Sequence, residues 1–215
     1  MKNNITELVF ILDRSGSMSG LESDTIGGFN GMIDRQKKVD GKCYVTTVLF
    51  DTSFDTIHDR ADLSEVREMT AKDYRVGGCT ALLDAIGDTI RHIAQIHRYA
   101  RPEDVPEITT FVIMTDGLEN SSHRYSSQKV KEMIEHEKEK YGWEFLFLAA
   151  NIDAVETASH IGIHADRSVD YLADSKGTGL AFDTVADTVC RQRKGMPIDA
   201  LWSKRVTEDY RKRKK

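Results

Sequence analysis

The chain has 215 residues, 40% hydrophobic and 30% charged, with a formal net charge of −5. This suits one α/β domain with a sizeable core, and no window holds the ~18 consecutive apolar residues of a bilayer-spanning helix. Cys43, Cys79 and Cys190 are odd in number and form no CxxC pair. That argues against a disulfide framework or a cysteine-based zinc site and leaves buried free thiols as the expectation.

The first residues, Met1-Lys2-Asn3-Asn4, lead into a strand-like run without the apolar stretch and small-residue cleavage site of a secretory leader, so a cytoplasmic location is expected. Thr6 to Leu12 is short, continuous and apolar, the pattern of a buried parallel strand. Asp13-Arg14-Ser15-Gly16-Ser17-Met18-Ser19-Gly20 is a polar loop at its C-terminal end. Ile26, Phe29, Met32, Ile33 and Gln36 fall at helical spacing and predict a helix from Leu21 to Val39, ended at Asp40-Gly41. Cys43 to Phe50 is rich in β-branched and aromatic residues, and Phe54 to Asp59 returns after a turn, which predicts a hairpin and an antiparallel edge strand. Asp62 to Met69 reads as a helical turn.

Val76-Gly77-Gly78-Cys79-Thr80 is a glycine-rich loop, and Leu82, Leu83, Ile86, Ile90, Ile93 and Ile96 then mark one apolar helical face that stops near Arg101, before Pro102. Thr109 to Thr115 is a second central strand, followed by the loop Asp116-Gly117-Leu118-Glu119-Asn120. A charged amphipathic helix (Ser126 to Lys140), a third buried strand (Trp143 to Ala150) and a helix (Asp153 to Ile161) come next. An edge strand (Ser168 to Leu172) and a last helix (Asp174 to Arg191), weakened by Gly177 and Gly179, complete the list.

Strands and helices alternate, so the expected fold class is α/β: a Rossmann-like, doubly wound, mostly parallel central sheet with helices on both faces and one antiparallel edge strand. Residues 1–200 are read as a single domain and 201–215 as a basic C-terminal tail or extension. The last five residues, 211–215, are all basic; taking their five positive charges from a net −5 leaves −10 on the rest. A body that acidic is a poor nucleic-acid surface, and the basic end is read as a solvated tail.

The chemistry concentrates in three polar loops. Asp13, Ser15 and Ser17 occupy the first, Thr80 the second and Asp116 the third. Two carboxylates and three hydroxyls are hard oxygen donors, suited to Mg²⁺, with Mn²⁺ or Ca²⁺ as alternatives. Alternate residues of an extended loop point to one side, so Asp13, Ser15 and Ser17 can converge on one ion.

Asp13-x-Ser15-x-Ser17 after Val9-Phe10-Ile11-Leu12 resembles the Asp-x-Ser-x-Ser signature of the von Willebrand factor A (VWA) family. There it forms the metal ion-dependent adhesion site, MIDAS. Gly78-Cys79-Thr80 resembles the family's threonine loop and Thr115-Asp116-Gly117 its second aspartate motif, and the likeness runs from Ile5 to Ile161. The resemblance implies a VWA fold of the kind found in stand-alone bacterial or phage members. It implies hydroxyl ligands at Ser15, Ser17 and Thr80, with Asp13 and Asp116 acting directly or through water. It further implies a non-enzymatic module that binds a protein partner through an Asp or Glu carboxylate. The rival reading is a metal-dependent hydrolase or phosphatase using Asp13, a strand-end aspartate. Against it, residue 15 is Ser rather than a second Asp, and no base is placed by the sequence. His58, His92, His97, His123, His136, His160 and His164 are scattered and form no HExxH motif. His123, near the Asp116 loop, reads as an exposed loop residue. Oligomeric state is left open.

Overall fold

Ile5–Asp13 forms β1, nine residues in which every side chain is buried. A strand covered on both faces belongs in the interior of a parallel sheet. Successive side chains alternate sides: Leu8, Phe10 and Leu12 enter one hydrophobic cluster, and Val9 and Ile11 enter another. The sheet is therefore the middle layer of three.

A computed structural model describes residues 4–214. The readings of Met1, Lys2, Asn3 and Lys215 lie outside the described residues. The remaining strands are β2 (Lys42–Phe50), β3 (Phe54–Asp62), β4 (Ile108–Thr115), β5 (Glu144–Ala149) and β6 (Ser168–Asp170). Their spatial order is β3-β2-β1-β4-β5-β6, all parallel except the β2–β3 hairpin. Helices α1 (Glu22–Gln36) and α5 (Ser175–Arg193) supply the first cluster; α2 (Leu82–Tyr99), α3 (Ser127–Tyr141) and α4 (Ala154–His160) supply the second. The expected doubly wound α/β architecture with one antiparallel edge strand is the one observed. The chain starts in the middle, winds out to β3, then crosses β1 to build β4, β5 and β6. The reversal places a topological switch point between β1 and β4, where open α/β sheets bind ligands outside the strands' carboxyl ends.

Several boundaries differ from the sequence reading. The first helix ends at Gln36 rather than Val39, the hairpin's second strand runs on to Asp62, and between 62 and 69 only Leu63–Glu65 forms a single 3-10 turn. The basic C-terminal segment carries a sixth helix, α6 (Lys204–Arg213), which has Trp202 just before it and Val206 within it buried in the α1–α5 cluster. Arg213 pairs with Asp174 and Asp209, so it is not a solvated tail residue. Buried thiols were expected three times and occur once: Cys43 is buried, Cys190 is intermediate and Cys79 is exposed on its loop. His123 is exposed, as read from the sequence. Among the described residues no helix is long and apolar enough to cross a membrane.

Candidate metal centre

Asp13 closes β1, and Asp116 follows β4 directly. The strands are neighbours in register, with Leu12 opposite Met114, so the two carboxylates emerge side by side. Asp13 is held on every side: its Oδ1 accepts the Ser15 N–H (2.7 Å), its Oδ2 accepts the Thr115 hydroxyl (2.6 Å) and its backbone carbonyl accepts the Tyr74 hydroxyl. Ser15 Oγ lies 3.0 Å from Ser17 Oγ, and Ser17 Oγ donates to Asp116 Oδ1 at 2.5 Å. Four of the five residues chosen from the sequence are thus linked in one chain of hydrogen bonds, with Thr115 as a further member.

Thr80 completes the group through Gly117. A Cβ on Gly117 would lie 3.2 Å from Thr80 Oγ1 and 3.3 Å from Ser17 Oγ, so the two hydroxyls converge beside this glycine and a side chain there would crowd both. Thr80 is fixed by a reciprocal clamp: its N–H donates to Asn120 Oδ1 (2.9 Å), and its carbonyl accepts the Asn120 N–H (3.1 Å). The loop before it is braced by Gly16 N–H to Gly78 O (3.2 Å), Cys79 N–H to Thr52 Oγ1 (2.8 Å) and Ala81 N–H to Asp51 O (2.8 Å). Gly78 sits at φ +73°, and a Cβ there would also meet Thr52 Oγ1 at 2.7 Å. Arg14, between two candidate ligands, turns away to hold the β2–β3 turn through Asp51 (2.8 Å) and Asp55 (2.6 Å).

Ser15, Ser17, Thr80 and Asp116 line a cleft of about 390 Å³ with Cys79 and Leu118 at its wall; Asp13 lies behind that lining. Asp116 is 2% exposed, and its Oδ2 is buried with no hydrogen-bond partner among the described residues. Burial raises the carboxyls of both Asp13 and Asp116 above the usual carboxylate range; hydrogen bonds from Thr115 and Ser15 oppose this at Asp13, and one from Ser17 opposes it at Asp116. The Asp13 charge pushes Asp116 further up. A cation beside Asp116 Oδ2 would relieve both the missing partner and the repulsion, and the neighbouring hydroxyls supply neutral oxygen donors. The residues present fit a hard divalent ion. Among the described residues no three His, Cys, Asp or Glu side chains are grouped to hold a metal, which is consistent with a shell made partly of hydroxyls.

The supporting residues were not all foreseen. Thr115 stood in the quoted Thr-Asp-Gly, but its role as a donor to Asp13 did not. Asn120 and Glu119 lie in the same loop; Glu119 accepts N–H groups from Ser121 (2.9 Å), Ser122 (2.7 Å) and Leu83 (2.9 Å), tying the loop to the start of α2. Asp84 on α2 accepts from the N–H groups of His123 (3.0 Å), Arg124 (2.9 Å) and Tyr125 (3.0 Å). An acidic residue in the first turn of a predicted helix was the available signal.

No family model matches the sequence, and no curated protein matches it. Solved structures do. The vWF domain of the type V pili tip protein Mfa5 from Porphyromonas gingivalis has a TM-score of 0.67 at 10% identity, over 90% of this chain and 98% of that one. Manganese-loaded TRAP from Plasmodium vivax has a TM-score of 0.57 at 17% identity, over 85% and 73%. Proximal thread matrix protein 1 from the mussel byssus, with a zinc-occupied MIDAS motif, has a TM-score of 0.55 at 15% identity, over 86% and 46%. The chain therefore spans less than half of the mussel protein. At these identities the likeness is one of fold.

Proposed function

From a chain with the von Willebrand A fold, we propose a non-enzymatic, metal-dependent protein-binding module. In this reading Asp13, Ser15, Ser17, Thr80 and Asp116 hold Mg²⁺, with Mn²⁺ or Ca²⁺ as substitutes, and the partner presents an Asp or Glu carboxylate. The carrying observation is the buried, unpartnered Oδ2 of Asp116 in a hydroxyl-lined cleft. A bound divalent ion supplies a Lewis-acidic position that an incoming carboxylate oxygen can fill.

The protein's own residues prepare that position. Ser15, Ser17 and Thr80 are neutral donors, so among the residues lining the cleft Asp116 is the one that offsets the ion's charge directly. Both oxygens of Asp13 are already bonded to protein donors, so it reaches the ion through water from behind the lining while it orients Ser15 and Thr115. The manganese-loaded and zinc-occupied structures of the same fold support divalent binding on it. Catalysis is poorly served: among the described residues the cleft lining has no His, Lys or Arg to act as base or acid, and Asp13 lacks the freedom of a nucleophile.

The test is selection from a displayed random-peptide library on immobilised protein in Mg²⁺, with elution by EDTA. Eluted peptides should be enriched in Asp or Glu, and neither Asp13→Ala nor Asp116→Ala protein should select them. Peptides retained in EDTA and by both variants would overturn the reading.

A further inference from the structure

A second concavity lies on the α2–α3 face, towards the sheet edge opposite the metal cleft. Near the metal edge the two helices are bridged: the Tyr125 ring sits where a Cβ of Gly87 would be, 2.6 Å away, and its hydroxyl donates to Asp88 (3.1 Å). Further along, Ile90 and Ala94 on α2 and Met133 and Glu137 on α3 line a concavity. It is a groove of about 840 Å³ whose lining also includes Trp143, Val105 and Pro106.

The groove mixes apolar side chains, among them Ile90, Ala94, Met133 and Trp143, with charged and polar ones, a lining suited to a ligand that carries both an apolar body and a charged head. Trp143 is 5% exposed and is held by stacking on Phe111 (5.3 Å between ring centroids) and an edge contact with His97 (5.3 Å). Glu137 is 7% exposed, and its Oε2 is buried without a hydrogen-bond partner among the described residues. Burial raises the Glu137 carboxyl. Of the basic lining residues, Arg91 pairs with Asp88 (2.7 Å) and Lys129 with Glu132 (3.6 Å), which leaves exposed Arg98 and Lys140 as the basic rim.

We propose that the groove between α2 and α3 binds an organic anion with an apolar, ring-sized body: the body packs on Trp143, Met133 and Ile90, and the anionic head meets the basic rim. The metal cleft takes no part, so this binding stands or falls independently of the function proposed above.

1-Anilinonaphthalene-8-sulfonate, an aromatic sulfonate, is the probe. The protein has two tryptophans, so a Trp202→Phe background leaves Trp143 as the sole donor for energy transfer. Saturable one-to-one binding that quenches Trp143 and is indifferent to EDTA is expected. Ala94→Trp, which fills the groove, should weaken it at least about tenfold; because it adds a tryptophan, its binding is read from the directly excited fluorescence of the dye. The exposed pair Arg98→Glu with Lys140→Glu should weaken it about tenfold by charge alone. Circular dichroism and Tm identify any variant that has lost its fold, and the charge-reversed pair keeps the test valid if Ala94→Trp does so. Equal or tighter binding of a cationic dye of similar size would overturn the proposal. So would binding that never saturates, binding indifferent to both variants, or self-association abolished by Ala94→Trp, which would give the groove to a second copy of the chain.

Discussion

Asp116 leaves Oδ2 buried with nothing to bond, whereas Asp13 at the adjacent strand end has both carboxylate oxygens engaged. Their charges also face each other across a buried hydrogen-bond chain, and burial raises both carboxyls. A carboxylate whose folded pKa is raised destabilises the fold where it is ionised, the reverse of the usual surface aspartate. Asp116→Asn keeps the shape and the acceptor for Ser17 but removes the charge. The metal-free variant should therefore melt higher than the wild type, by roughly 2–4 °C at neutral pH, while losing the heat of Mg²⁺ or Mn²⁺ binding in calorimetry. A lower Tm would mean that the Asp116 charge is compensated by protein groups and has no need of a cation. The residues of this pair were legible because their chemistry is carried by short covalent spacing: Asp13, Ser15 and Ser17 are alternate positions of one loop. Thr115 and Asn120 were not picked out as partners. Nothing in a sequence says that Asn120 will reach back to Thr80 until the two loops are brought together by strands far apart in the chain.

The element that escaped the sequence reading is α6, and its packing explains why. Its apolar contribution is Val206, with Trp202 four residues before it, on a segment otherwise mostly charged. One such pair is too little periodicity to separate a docked helix from a basic tail. Its anchor is electrostatic: Arg213 bonds both Asp174, the N-cap of α5, and Asp209 on its own helix. Gly177 was misjudged for a related reason. It was read as weakening α5, yet a Cβ there would lie 2.1 Å from the Leu172 carbonyl, so the first turn of α5 can pack only with glycine. By contrast, β1, α2 and β4 were legible nearly to the residue, because long one-faced or fully apolar runs have few alternative packings. The Arg213 contact holds the Asp174 carboxyl below the usual carboxylate range, helped by the Gly177 N–H. A depressed folded pKa stabilises above the unfolded pKa, and that stability is lost as pH falls through the folded value. Arg213→Ala should lower Tm by about 2–3 °C at pH 7, modestly because the pair is partly solvated. The two melting curves should converge as Asp174 is protonated in acid. A gap that persists unchanged at pH 2 would assign the loss to the packing of the arginine stem instead.

For the whole molecule, the order of the strands decides where unsatisfied charge accumulates. Alternation of strands and helices made the doubly wound class readable, but which strands would be neighbours was not; that follows from the crossover that sets β4 beside β1. The same crossover brings Asp13 and Asp116 together at the switch point, above two hydrophobic clusters that leave the sheet little freedom to move them apart. The fold thus holds two like charges in place at the expense of its own stability, and a cation bound there would return that stability to the entire cooperative unit. Ligand binding to the native state alone contributes about 2.7 kcal/mol at a free concentration of 100 Kd. For a chain of this length each kcal/mol is worth ~2–4 °C, so saturating Mg²⁺ should raise Tm by about 5–10 °C. EDTA should reverse the rise, Asp116→Asn should abolish it, and Arg213→Ala, remote from the cleft, should leave its size unchanged. Scanning calorimetry at matched ionic strength, with NaCl replacing MgCl₂, separates site binding from general screening. An equal rise in NaCl, or one retained by Asp116→Asn, would remove the cation from the account of how this sheet edge is stabilised.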